Sequence, residues 1–166
     1  MIGATTALRE RHPAARWTRA EQLHMTMVFI GATPVEEVAR IEHAVARVAA
    51  RWTPFEVTTG EGGGFTNRRS GGVAWLRVAE GYRHVARLSL DLDEAMASGS
   101  YAEMEPRPHL TLARGVTNEL LEDLRATADG LSLRWRVDNV ALFRSHTGQQ
   151  SRYEVLVRHP LAGVLG

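Results

Sequence analysis

Two short stretches decide the fold: His109-Leu110-Thr111-Leu112 and its earlier counterpart, His24-Met25-Thr26-Met27. Both have the form H-x-T-x, with an apolar residue at each x. Successive side chains of a β-strand point to opposite faces, so histidine and threonine would share one face and the apolar residues the other. The sequence therefore predicts motif strands over residues 23–30 and 108–114. Each strand would present one imidazole and one hydroxyl.

The composition indicates a globular protein. With 166 residues, 44% hydrophobic and 23% charged, the chain suits one domain or two small lobes. It has no cysteine, which excludes a disulfide framework and a thiolate metal site. No apolar run approaches membrane-spanning length and the N-terminus lacks a signal-peptide h-region, so we expect a cytoplasmic protein without membrane contact. The net charge of +1 leaves any nucleic-acid contact to local arginines.

Periodicity predicts the remaining elements. Helices are expected over residues 33–51, over residues 82–97, and from Thr117 to Gly130; Thr33 is expected to open a capping box and Thr117 to cap its helix. Strands are expected over residues 55–59 and 73–78, with two or three more in residues 131–157 around a turn near Gly148. The glycine-rich run Gly60–Gly72 predicts a flexible loop that carries Arg68 and Arg69 at its tip.

The order of elements occurs twice. A motif strand, a capped helix, a strand and then a segment that reaches phenylalanine run from His24 to Phe65, and again from His109 to Phe143. Such a duplication predicts two similar lobes. A pseudo-two-fold axis between them would bring the two histidines face to face.

The chain resembles the 2H phosphoesterase superfamily, and most closely its RNA 2′,3′-cyclic phosphodiesterase branch, also known as 2′-5′ RNA ligases. Besides the two motifs, the resemblance rests on flanking segments between about residue 15 and residue 161. These are Arg16-Trp17, Leu23, Phe29-Ile30-Gly31, Gly64-Phe65, Arg107-Pro108, Ala113-Arg114, Leu142-Phe143-Arg144-Ser145 and Arg152-Tyr153-Glu154-Val155-Leu156.

The resemblance implies one α+β domain over residues 1–166. It would be bilobal, with two pseudo-symmetric lobes of antiparallel sheet, helices on the outside and an active-site cleft between the lobes. Members of the family usually open with a strand, a proline and a helix. Residues 1–6 do not fit that strand, whereas residues 7–11 predict a short helix that stops near Pro13. The family's N-terminal strand is therefore expected to be missing or altered.

Paired histidines suit proton transfer at phosphorus without a metal. Imidazole titrates near neutrality, so one ring can act as base while the other acts as acid. We assign these roles to His24 and His109, and binding of the phosphoryl oxygens to Thr26 and Thr111. The resemblance implies RNA or nucleotides with 2′,3′-cyclic phosphate ends as partners, a 2′-phosphate product, and the first histidine as acid. No cofactor is implied, and we expect a monomer.

Further residues have two interpretations each. Arg114 matches the family's arginine after the second motif, but strand parity places it opposite His109 unless the strand ends or bulges near Ala113. The family positions of Phe65 and Phe143 suggest a base sandwich, and core packing is an equal alternative. Tyr153 is a candidate for base stacking with rim packing as its alternative, and for Trp17 core packing is favoured.

Other functions stay open at this point. Zinc is disfavoured because neither motif contains a carboxylate and threonine is a poor zinc ligand. Reversible 2′-5′ joining of tRNA halves would use the same site. A non-catalytic RNA-end binder would need no proton donor and acceptor, so the two intact histidines argue against it. A phosphodiesterase of small cyclic nucleotides is the third alternative.

Overall fold

A computed structural model describes residues 2–67, 71–98, 105–127, 131–146 and 152–163. Within them, the helices are α1 (Ile2–Arg11), α2 (Val35–Ala49), α3 (Tyr82–Met96) and α4 (Asn118–Thr127), with a 3₁₀ turn at Ala20–Gln22. The strands are β1 (Arg16–Trp17), β2 (Phe55–Phe65), β3 (Val73–Val78), β4 (His109–Arg114), β5 (Arg134–Val137), β6 (Asn139–His146) and β7 (Arg152–Pro160). The predicted α+β class is confirmed. None of the helices in these ranges has the length and apolar character needed to cross a membrane.

The chain divides into two compact units, and each unit collects three separate segments. The first holds Met1–Thr26, Glu56–Tyr82 and Arg107–Trp135; the second holds Met27–Phe55, Arg83–Pro106 and Arg136–Gly166. Both H-x-T-x histidines therefore lie in the first unit. Each unit combines segments from both halves of the sequence, and strand pairing within the first unit joins segments far apart in the chain. The cleft expected between two lobes stays a prediction.

The first unit is built on a five-stranded sheet of order β1-β4-β3-β2-β5. Its β1–β4, β4–β3 and β3–β2 pairs are antiparallel. One face is apolar and lies in a single core with residues of α1 and α4: Leu8, Ala74, Leu76, Leu110, Leu112, Leu120, Leu121 and Leu124. Each buried leucine contributes about 1.5–3 kcal/mol relative to an exposed one. The other face of β3 and β4 carries mostly polar and aromatic side chains.

The second unit packs α2 and α3 with the β6–β7 hairpin. Its core includes Ile41, Val45 and Val48 of α2, Leu88 and Leu92 of α3, and Val140 and Leu142 of β6. The strands expected in the last third of the sequence are confirmed as β5, β6 and β7. The turn predicted near Gly148 lies outside the described residues, as do Arg68 and Arg69 and the helix end predicted at Gly130.

The glycine-rich run does not form the predicted loop at its beginning, because β2 continues to Phe65 and pairs with β3. The glycines of β2 make room for neighbouring side chains. A Cβ on Gly62 would lie 2.7 Å from Cγ of Leu124 in α4, and one on Gly64 would lie 2.3 Å from Cδ2 of Leu121. Here, glycine marks close approach of a helix to the strand rather than a break in the strand.

The first motif strand is not observed. Residues 23–30 carry neither helix nor strand, and Met25 is half-buried rather than a core residue. β1 pairs with β4, and Thr18 N–H still donates to Leu112 at 2.8 Å before the 3₁₀ turn begins. The alternation of apolar and polar residues indicates which side chains are shielded from water. It does not indicate whether the backbone of residues 23–30 forms a strand, because a strand also requires a partner strand.

The two predicted threonine caps differ in outcome. Thr117 caps α4 as predicted, since its hydroxyl accepts a hydrogen bond from the N–H of Leu120 at 3.2 Å. Thr33 does not open a capping box. Pro34 is the N-cap residue of α2, and the Thr33 hydroxyl donates to the carbonyl of Gly31 at 3.2 Å instead.

The helix predicted at residues 7–11 is confirmed and begins earlier, at Ile2. Leu8 is 2% exposed and anchors α1 in the core of the first unit. Just after the helix, His12 Nε2 lies 2.8 Å from Asp123 Oδ2 of α4, and Arg11 Nη1 lies 3.0 Å from the same oxygen. These contacts fasten the beginning of the chain to α4.

Candidate active site

The second motif lies on β4 as predicted. Leu110 and Leu112 are 5% and 3% exposed and belong to the core, whereas His109 is exposed and Thr111 is half-buried. In the β3–β4 register, Arg77 is opposite His109 and Trp75 is opposite Thr111. Side chains opposite each other on paired strands share a face. His109, Thr111 and Trp75 therefore share the open face of the sheet.

A β-bulge brings Arg114 to that same face. The register shifts between Trp75, opposite Thr111, and Ala74, opposite Ala113, so β4 has one extra residue at this point. Beyond the bulge, Arg114 is opposite Val73, which has the same strand parity as Trp75. The condition set by the sequence, a bulge near Ala113, is thus met. Arg114 is exposed on the face that carries His109 and Thr111.

The two motif histidines are held by the same hydrogen bond. His24 Nδ1 lies 2.7 Å from the carbonyl oxygen of Gln22, and His109 Nδ1 lies 2.8 Å from that of Arg107. A carbonyl oxygen only accepts hydrogen bonds, so Nδ1 carries the proton in both rings. Nε2 is consequently the nitrogen of each ring that can take up or release a proton. In both motifs the accepting carbonyl lies two residues before the histidine.

Trp75 is a residue of this face that the sequence did not single out. Its ring centroid lies 5.7 Å from that of His109 and 5.9 Å from that of Phe65. The indole lies on Gly63, where a Cβ would be 2.6 Å from its Nε1. Phe65, Trp75 and His109 thus form a row of rings in contact with one another. The available signal was the shared parity of Val73, Trp75 and Arg77 on a strand whose other residues are apolar.

Arg16 is the second residue that was missed as a site residue. It pairs with Arg114 in the β1–β4 register, while Trp17 is opposite the buried Ala113. Trp17 packs against the core and donates from Nε1 to the carbonyl of His12 at 3.1 Å, so core packing is confirmed for it. Arg16 must then face the open side, where its exposed side chain approaches Gly115.

The remaining predicted residues are placed as follows. His24 is half-buried and Thr26 is exposed, both in the first unit with His109 and Thr111. That these four side chains contact one phosphate stays a prediction. Phe143 and Tyr153 belong to the second unit, where their rings pack edge to face with centroids 6.3 Å apart. Among the described residues, no three or more His, Asp or Glu side chains converge on a point where a metal ion could be held.

Comparison with known proteins identifies the family. The model of the 2′-5′ RNA ligase superfamily matches residues 3–149. An RNA 2′,3′-cyclic phosphodiesterase of Geobacillus stearothermophilus is 30% identical over 156 residues, which cover 91% of this chain and 49% of that protein. The enzyme of the same name from Methanothermobacter thermautotrophicus is 32% identical over 83% of this chain and 77% of its own length. The chain thus spans about half the length of the Geobacillus relative.

Solved structures show the same fold. TT0787 of Thermus thermophilus superposes with a TM-score of 0.68 at 25% identity, covering 97% of this chain and 91% of that one. Escherichia coli LigT complexed with NADP+ superposes with a TM-score of 0.72 at 24% identity, covering 96% and 90%. The resemblance stated from the sequence is confirmed. Over residues 3–149, which include both H-x-T-x motifs, the chain belongs to the 2′-5′ RNA ligase superfamily.

Proposed function

We propose that this protein hydrolyses the 2′,3′-cyclic phosphate at the end of an RNA or nucleotide to a 2′-phosphate, without a metal. The observation that carries the proposal is the repeated imidazole geometry. In both motifs Nδ1 donates a hydrogen bond to a backbone carbonyl, which supports Nε2 as the ring nitrogen that exchanges protons in the reaction. Two relatives named RNA 2′,3′-cyclic phosphodiesterase, matched over most of this chain, support the choice of reaction.

The reaction needs one proton acceptor and one proton donor. Neutral Nε2 of His109 takes a proton from water as the water oxygen bonds to phosphorus. Nε2 of protonated His24 gives its proton to O3′ as the P–O3′ bond breaks. The product has a 2′-phosphate and a free 3′-hydroxyl, and exchange with water restores both rings. In this family the first histidine is usually taken as the acid, and we adopt that order.

Charge accumulates on the non-bridging phosphoryl oxygens during this displacement, and hydroxyl and guanidinium donors stabilise it. We assign that role to Thr26, Thr111 and Arg114. The bulge that returns Arg114 to the face of Thr111 supports its inclusion. Phe65 is proposed as a base contact because half of its surface is exposed while its ring touches Trp75. Phe143 and Tyr153 stay predicted base contacts.

One assay tests the proposal against its alternatives. The protein is incubated in EDTA with RNA that ends in a 2′,3′-cyclic phosphate, with and without a second RNA that has a 5′-hydroxyl. Conversion to a 2′-phosphate in both mixtures supports hydrolysis. A 2′-5′-joined product would favour ligation, since a 5′-hydroxyl can replace water as nucleophile. Recovery of unchanged cyclic phosphate from a protein that binds the RNA would favour an end-binding protein and overturn the proposal.

A further inference from the structure

We infer that Arg16 holds the phosphodiester next to the cyclic end, which makes a strand of RNA, rather than a lone nucleotide, the preferred substrate. The inference rests on the proposed function and extends its site along β4. It begins from the β1–β4 register, in which Arg16 is directly opposite Arg114. Both side chains consequently lie on the face that carries His109 and Thr111.

Two arginines at a directly opposed position repel each other, and like charges there destabilise a sheet. Both side chains are exposed, and within the described ranges neither forms an ion pair with a carboxylate. Anions bound at the guanidinium groups would reduce this repulsion. Guanidinium is suited to that role because its planar donors match two phosphate oxygens at once.

The direction of the Arg16 side chain places its charge at the far end of β4. A Cβ added to Gly115, which has φ +68°, would lie 3.3 Å from Arg16 Nη1. The guanidinium therefore lies over Gly115, one residue beyond the end of β4. Along this face the order is His109, Thr111, Arg114 and then the Arg16 charge.

This order of side chains determines how long a substrate must be to contact all of them. In the β3–β4 register Thr111 and Arg114 are opposite Trp75 and Val73, which are two residues apart, so at about 3.4 Å per residue they lie about 7 Å apart along the strand. Gly115, with the guanidinium of Arg16 over it, lies one residue further, at about 10 Å from Thr111. A single phosphate bound at Thr111 therefore does not also contact the guanidinium of Arg16, which lies over Gly115. A chain with one or two further nucleotides covers the distance. We therefore assign the cyclic phosphate to His109 and Thr111, and the preceding phosphodiester to Arg16.

The test compares two substrates in one set of proteins. The substrates are a nucleoside 2′,3′-cyclic monophosphate and a short RNA that ends in the same cyclic nucleotide. The variants are Arg16→Gln, which removes the charge, and Arg16→Lys, which keeps the charge but loses the planar fork. Arg125→Gln is the matched control, since Arg125 is an exposed arginine of the same unit on α4, the helix packed on the apolar face of the sheet.

In Arg16→Gln we expect kcat/KM for the RNA to fall about tenfold more than kcat/KM for the mononucleotide, mostly through KM. In Arg16→Lys, kcat/KM for the RNA should lie between its values in Arg16→Gln and in the unaltered protein. Arg125→Gln should change kcat/KM for neither substrate. The affinity of the RNA should also become less sensitive to salt, with a slope of log K against log salt smaller by about 0.7. An equal loss on both substrates, or no loss, overturns the inference and leaves the proposed function standing.

If the unaltered protein opens neither substrate, the proposed function falls, and binding still decides the inference. Fluorescence anisotropy then compares the affinity for short RNA that ends in a 2′-phosphate in the unaltered protein and in Arg16→Gln. A loss of about tenfold with the smaller salt slope supports an RNA phosphate site at Arg16. Equal affinities overturn it.

Discussion

The two H-x-T-x motifs have the same sequence pattern and different backbones. His109 stands on β4, which pairs with β3 and with β1, whereas His24 lies in a segment without helix or strand. The ring contacts are nevertheless alike, because each Nδ1 meets the carbonyl two residues earlier. A local contact can therefore fix the tautomer of an imidazole both on a β-strand and in a segment without regular secondary structure. What the sheet adds at His109 is a set of cross-strand neighbours.

The largest effect should follow from removing either imidazole. We expect His24→Ala and His109→Ala each to lower kcat by about a hundredfold or more, the lower end of what a positioned acid or base contributes. The double variant should lose less than the product of the two single losses, since both residues serve one step. Steady-state kinetics on cyclic-phosphate RNA would measure this. Full activity in the double variant would exclude the two-histidine mechanism.

Proton transfer by an imidazole pair also predicts the pH dependence of the unaltered protein. One ring must be neutral and the other protonated, so only one of the two singly protonated forms is productive. We expect a bell-shaped kcat/KM with limbs roughly between pH 5 and 8. In each single alanine variant one limb should disappear. The limb lost in His24→Ala tells which motif supplies the acid; a profile that stays bell-shaped in both variants would mean that other groups carry the protons.

The next effect tests what the sheet adds at His109. In Gly63→Ala the new methyl group would occupy space now held by the Trp75 indole, which contacts His109. We expect kcat to fall about tenfold, since small displacements of a catalytic group are costly. Gly62→Ala is the matched control: it meets Leu124 of α4 on the apolar face, so it should lower the melting temperature and spare kcat. If both glycine variants behaved alike, His109 would need no support from Trp75.

The sequence predicted those features of the molecule that depend on side-chain burial or on a local cap. Alternation placed His109 and Thr111 correctly on β4, and Thr117 caps α4 as expected. The backbone state of residues 23–30 was missed because pairing depends on a distant strand. Trp75 and Arg16 were missed because only the cross-strand register brings them beside His109 and Arg114. Arg114 is an intermediate case. The sequence predicted that it reaches the face of His109 only if the strand ends or bulges near Ala113, and the register contains such a bulge.

A smaller effect is expected at the threonines. Thr26→Ala and Thr111→Ala each remove one hydroxyl donor to a phosphoryl oxygen and leave the proton transfer intact, so each should cost less than its histidine, about tenfold in kcat/KM. Thr111 lies on β4 and is half-buried, whereas Thr26 is exposed in a segment without helix or strand. We therefore expect Thr111→Ala to cost more. Kinetics of the two variants at the pH optimum would measure the difference, and the reverse order would show that strand pairing does not improve the hydroxyl's alignment.

The smallest expected effect is that of removing metal ions. Neither motif places a carboxylate beside its histidine, and threonine is a poor zinc ligand, so the two motifs lack the donors of a typical catalytic zinc site. The displacement can proceed with one imidazole as base, the other as acid, and hydroxyl and guanidinium donors on the phosphoryl oxygens. Dialysis against EDTA should therefore leave kcat and KM on cyclic-phosphate RNA unchanged, and later addition of Zn²⁺, Mn²⁺ or Mg²⁺ should not raise them. A loss of activity that one of these ions restores would make both Nε2 atoms candidate metal ligands. The two motifs would then act as two halves of one metal site, and the acid and base roles argued for them would have to be withdrawn.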